Sequence, residues 1–168
     1  MQEKLRRRYQ IQKEVSRGGY FEGEIEVSNL TRLAEVLLSD EARINIQFGF
    51  SQSEYDGPMV DGRLETSLTV ECQRCLNAMQ IPLELEFKLL LNAADDLVAE
   101  SSIDMVFSED GWIDIFEVVE DELILGLPLV TTHDNKACNE FWRAQEQDPG
   151  SATKENPFSV LAKLKTIN

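Results

Sequence analysis

The sequence predicts an α+β fold: a largely antiparallel sheet with two or three packed helices, a basic N-terminal arm and a short C-terminal helix. Two observations carry this. Several runs alternate apolar and polar residues with period two and are joined by short turns, which favours antiparallel pairing. Two other stretches repeat apolar residues at helical spacing. With 168 residues, 42% of them hydrophobic, the chain is long enough for one real core, and a single α+β domain over residues 20–138 is expected.

The elements follow in order. Residues 1–19 are polar and basic, carrying Lys4, Arg6, Arg7, Arg8, Lys13 and Arg17, and end in Gly18-Gly19. They read as an arm that hinges at the glycines. Tyr20 to Val27 has strand character. Ser28 is placed to accept hydrogen bonds from the first amides of a helix in which Leu30, Leu33, Ala34, Leu37 and Leu38 form the buried stripe. Ile44, Ile46, Phe48 and Phe50 alternate with Asn45, Gln47 and Gly49 as a half-buried strand, and Asp56-Gly57-Pro58 and Asp61-Gly62 supply turn chemistry. Leu64, Leu68 and Val70 alternate up to Cys72, and Met79, Ile81, Leu83, Leu85, Phe87 and Leu89 alternate after it. Two strands therefore flank the cysteine pair.

Ile103 to Phe107 reads as an edge strand, and Asp114 as the N-cap of a helix that runs to Leu125 and stops at Gly126 and Pro128. On that helix Glu117, Glu120 and Asp121 fall on one arc, and Ile115, Phe116, Val118, Val119, Leu123 and Leu125 cover the opposite side. Glu122 projects from within the apolar arc and is expected at the edge of the core. Residues 139–168 are expected to be a flexible connection to residue 156, then an amphipathic helix with Phe158, Leu161 and Leu164 on one side.

Charge is the second constraint. Acidic residues outnumber basic ones 31 to 16, for a net charge of -15, which disfavours nonspecific nucleic-acid binding by the whole surface. The distribution is polarised: no Lys or Arg occurs between Lys88 and Lys136. A basic arm contacting RNA phosphates through Arg6, Arg7 and Arg8, and an acidic face open to a basic protein, both fit this pattern. For any single residue, a solvated acidic face and a solvated basic N-terminal segment are the simpler reading. No run approaches the roughly 18 apolar residues of a membrane helix, and an odd number of cysteines without a secretory signal fits a reducing cytoplasm.

Cys72-Gln73-Arg74-Cys75, and His133 with Cys138, bring together every cysteine and the single histidine of the chain. Three thiolates and one imidazole are the donor set of one structural zinc ion, and a two-residue gap lets both sulfurs of a tight turn face it. The other readings are small buried apolar residues or a redox pair. A redox C-x-x-C belongs at the start of a helix, and strands flank this one. No nucleotide-binding glycine loop or catalytic constellation emerges, so an enzyme is not expected; Asp95-Asp96 as a magnesium site is a chance feature of an acidic stretch.

Val70-Glu71-Cys72-Gln73-Arg74-Cys75, the segment Val119 to Pro128, the His133 to Cys138 element and Asn156-Pro157-Phe158-Ser159-Val160-Leu161 together resemble the YceD-type large ribosomal RNA subunit accumulation proteins. The likeness covers residues 70–165. It implies a noncatalytic, bacterial, cytoplasmic ribosome-biogenesis factor that supports synthesis, processing or stability of large-subunit ribosomal RNA, with that RNA or a pre-ribosomal particle as partner. The alternative is an acidic module that binds a basic ribosomal protein; neither a membrane nor a small-molecule substrate is implied. Some relatives carry further cysteines near the C-terminus; without them His133 is the fourth ligand here.

Overall fold

Period-two burial builds the main sheet. In the computed structural model, which describes residues 5–53, 57–91, 104–108 and 110–139, β2 (Tyr20–Glu26), β3 (Arg43–Gln52), β4 (Pro58–Glu71) and β5 (Ala78–Leu91) pair antiparallel in chain order. β6 (Asp104–Val106) adds to β5 in parallel, at the edge where the sequence places a strand. Along β3, Ile44, Ile46, Phe48 and Phe50 are buried while Arg43, Asn45 and Gln47 face solvent. One face of the sheet is thus core and the other polar. Gly62 is required where it stands: a Cβ there would lie 2.6 Å from the Phe87 ring and 2.5 Å from the Gln47 carbonyl oxygen.

The basic first segment does not stand away as an arm. β1 (Arg8–Gln10) pairs antiparallel with β7 (Trp112–Asp114), Tyr9 opposite Ile113, as a separate two-stranded sheet. Tyr9 is fully buried, its ring centroid 4.5 Å from that of Phe21 and 5.4 Å from that of Phe48. Its hydroxyl accepts the amide of Arg6 at 3.0 Å. α1 (Ile11–Arg17) follows, and Gly18, at φ 59°, closes it in the left-handed conformation that glycine adopts without strain. Burial of Tyr9 and Ile11, roughly 2 kcal/mol each, holds the segment in place. The arginines snorkel around them, and their number hid the Tyr9-x-Ile11 pattern.

Ser28 does not cap a helix. It lies inside a 3-10 turn, Val27–Asn29, and α2 (Thr31–Val36) starts at Thr31 with no capping bond from the Leu30 side chain. The cap comes from elsewhere in the chain. Glu120, expected on the polar arc, is buried, and its carboxylate accepts the amides of Arg32 at 2.6 Å and Leu33 at 3.1 Å. The Arg32 guanidinium reaches the same carboxylate at 3.0 Å and Asp121 at 2.7 Å. A helix turned 100° per residue puts Glu120 beside the apolar stripe, where it meets the open amides of α2.

α3 (Ile115–Gly126) matches its cap and stop signals, but Leu125, expected on the apolar side, is 77% exposed. Asp114 is its N-cap and accepts from Phe116 and Glu117 at 3.0 and 3.3 Å. Ile115, Val118, Val119 and Leu123 are buried, and at Gly126 a Cβ would collide with Leu85 of β5. Glu122 sits half-buried at the core edge as expected; burial, with Asp104 and Asp121 adding repulsion, holds its pKa above the usual carboxylate value.

The chain divides into two units, Met1–Thr132 and His133–Asn168. In the second, Asn135 caps a 3-10 turn, Lys136–Cys138, by accepting the Ala137 amide at 2.9 Å. Asp95-Asp96, residues 140–156 and the C-terminal amphipathic segment lie outside the described residues. No helix among the described residues is long and apolar enough to cross a membrane.

Candidate metal centre

The long hairpin carries the cysteine pair beyond the body of the sheet. β4 and β5 have 14 residues each, but β3 reaches only as far as Glu65. Thr66–Glu71 and Ala78–Leu83 therefore continue as a two-stranded ribbon. Alternation along it buries Leu68, Val70 and Cys72 in succession, so period two alone turns the first thiol inward.

The turn at the ribbon's end is tightly held. Cys72 donates its amide to Asn77 O at 2.9 Å, and Leu76 donates to Cys72 O at 2.8 Å. Closing so short a loop forces Leu76 to φ 61°, which costs an L-residue about 1 kcal/mol or more, while its side chain is 68% exposed. Strain of this kind persists where the surroundings fix the conformation. Leu76→Gly is expected to raise stability by about 0.5–1 kcal/mol, visible as a higher urea midpoint at unchanged slope. A lower midpoint would mean that Leu76 packs in a way its exposure belies.

The segment after α3 is hydrogen-bonded to this turn. Gln73 donates its amide to Thr131 O at 2.8 Å, the Thr131 hydroxyl donates to Glu71 O at 2.7 Å, and the Gln73 side chain reaches Leu129 O at 3.4 Å. His133 follows two residues later, within about 7.6 Å of the Thr131 Cα on chain geometry alone. The donor atoms of Cys72, Cys75, His133 and Cys138 all lie within 4.8 Å of one another, Cys72 buried and the other three half-buried.

This set fits zinc. Around a tetrahedral ion with bonds of about 2.3 Å to sulfur, thiolates would stand about 3.8 Å apart, and donors gathered within 4.8 Å are compatible with that spacing. Four protein donors leave no open position, the mark of a structural rather than a catalytic ion. The redox alternative lacks its activating feature. No helix begins at Cys72 or Cys75, and a strand follows them.

Residues 60–165 match the family model "Large ribosomal RNA subunit accumulation protein YceD". A protein of that name from Haemophilus influenzae is 37% identical over 152 residues, spanning 85% of this chain and 86% of the relative. The chain belongs to the YceD family. No solved structure matches it. The YceD match begins at Val60 in β4 and takes in the cysteine turn, α3 and the His133–Cys138 element.

The three arginines pair with carboxylates of the first unit. Arg7 bonds Asp114 at 2.7 Å, Arg8 bonds Asp110 at 2.5 Å, and Arg6 lies 3.7 Å from Glu14 and over the Tyr9 ring. All three guanidiniums remain about half exposed. The bond to Asp114 and its charge raise the Arg7 pKa. Glu14 itself is buried and held by Arg17 at 2.5 Å. Pattern reading missed Glu120, because its role depends on amides 87 and 88 residues away.

Proposed function

We propose that this chain is a noncatalytic ribosome-biogenesis factor that supports synthesis, processing or stability of large-subunit ribosomal RNA in the bacterial cytoplasm. Membership of the YceD family carries this reading, because the relative's own name couples it to accumulation of that RNA. Within it, zinc held by Cys72, Cys75, His133 and Cys138 is a structural ion; the gathering of their donor atoms within 4.8 Å supports this.

Arg6, Arg7 and Arg8 are the proposed RNA contacts. Exposed ion pairs contribute only about 0–1 kcal/mol, so phosphates can take the place of Asp110, Asp114 and Glu14 on guanidiniums that are already half exposed. Replacing all three with alanine is expected to weaken binding to a large-subunit RNA fragment and to reduce the log–log salt slope by about 2. Filter binding over a range of salt measures both, and an unchanged slope removes the three residues from RNA contact. In cells lacking the gene, the same variant is expected to restore the ratio of large- to small-subunit RNA less fully than the wild type.

The runner-up is a protein-interaction module for a basic ribosomal protein. The net charge of -15 and the stretch without Lys or Arg from residue 89 to 135 favour it. A pulldown treated with ribonuclease separates the two: a partner that survives is held by protein contact, and one that is lost was held through RNA.

A further inference from the structure

A cleft of about 570 Å³ opens where β6 and β7 meet the outer face of α3. Val106, Ile113 and Val118 form the apolar part of its lining, the last two buried. Phe107, 64% exposed, and Trp112, 42% exposed, rim it. Large aromatics left in water at the mouth of a groove are the anchors from which interfaces are built. The rim between them is acidic, with Asp110, Asp114, Glu117 and Asp121 among the lining residues and Arg8 as the one cation. Beyond it, Arg7 pairs with Asp114 and Arg32 with Asp121, while Asp104 and Glu122 add further negative charge close by.

The chain's own arginines show which chemistry the surface receives. The Arg8 guanidinium lies 5.7 Å from the Trp112 ring centroid and bonds Asp110 at 2.5 Å. Arg7 repeats the arrangement on the Phe116 ring, at 5.7 Å, with Asp114. Each cation is taken between an aromatic face and a carboxylate, as a planar guanidinium prefers. We infer that the Phe107–Trp112 cleft docks an extended, arginine-rich segment of a protein partner, whose guanidiniums continue the row that Arg8 begins. This surface is separate from the cysteine turn but shares Arg8 with the proposed RNA contacts, so the test has to tell peptide from RNA.

The probe is a dye-labelled peptide of alternating arginine and glycine, titrated with the full-length protein and followed by fluorescence anisotropy. Trp112→Ala, and the pair Asp110→Asn with Glu117→Gln, are each expected to weaken binding about tenfold. Neutralising the same number of carboxylates on the open sheet face, Glu24→Gln with Glu65→Gln, is expected to do little. Arg8→Ala is expected to tighten binding, because it removes the internal competitor for Asp110 and Trp112. In a Trp142→Phe background that also carries Arg8→Ala, which takes the cation proposed for RNA contact off the Trp112 ring, Trp112 fluorescence should respond to the peptide and not to an RNA oligonucleotide. Equal losses on the two faces, an indifferent Trp112→Ala, or a response to RNA alone would overturn the proposal.

Discussion

Protein prepared without chelator is expected to carry about one zinc ion per chain, and Cys75→Ser to carry almost none. Cys75 is the informative position because it is only half-buried; serine keeps its size and costs little packing, so the change isolates ligation. A structural Cys3His site contributes about 10–16 kcal/mol of apparent binding free energy in small modules, against a net domain stability of about 5–15 kcal/mol. The ribbon Thr66–Leu83 lies beyond the ladder that β3 forms with β4, tied to β3 by the Thr66 hydroxyl on Arg43 O at 2.8 Å, and its turn contains a strained leucine. Loss of the ion should therefore register first at the turn and in the segment from Leu129 to Cys138, as faster amide exchange and protease cutting, while β2, β3 and the Tyr9 cluster stay protected. Elemental analysis decides the first part, and exchange mapping the second. A well-folded wild type containing no metal, with Cys75→Ser indistinguishable from it, would dispose of the zinc centre.

Glu120→Ala is expected to cost about 2–4 kcal/mol, since it strips the acceptor from two amides at the start of α2 and from the Arg32 guanidinium. Glu120→Gln should cost less, because its carbonyl oxygen can still accept one of the amides. The pH dependence separates this account from a simple packing loss. Burial pushes the Glu120 pKa up, but the bonds from Leu33 and Arg32 outweigh it and leave the pKa below the ordinary value. The stabilisation is therefore fully present above the unfolded-state value of about 4.3 and is lost as pH falls through the lower folded-state value. The gap in unfolding free energy between wild type and Glu120→Gln should be constant near neutrality and shrink in acid. A gap that stays the same in acid would place its origin in shape rather than charge.

Much of this was legible in the residues because it rests on strong periodicities. Alternation in β2 to β5, the position of the cysteines at a hairpin end, and the Asp114 cap followed by a stop at Gly126 are all local patterns, and the structure repeats them. What escaped is non-local. β1 and β7 have three residues each and draw their stability from pairing with each other, so neither shows a signal alone. α2 is capped from 88 residues away, which no window could detect, and Ser28 offered a plausible local answer that was not used. For the candidate metal ligands, spacing supplied the donor set. The bonds of Thr131 to Gln73 and Glu71 are contacts that no pattern of apolar residues encodes.

The pairing of residues 8–10 with 112–114 also has a consequence in time. A chain synthesised from its N-terminus has completed β2 to β5 long before Ile113 leaves the ribosome, so Tyr9 has no strand partner throughout that interval. During it Arg7 and Arg8 also lack Asp114 and Asp110. The nascent protein thus presents Arg7 and Arg8 without their carboxylate partners, and only the arrival of the strand before α3 ties both down.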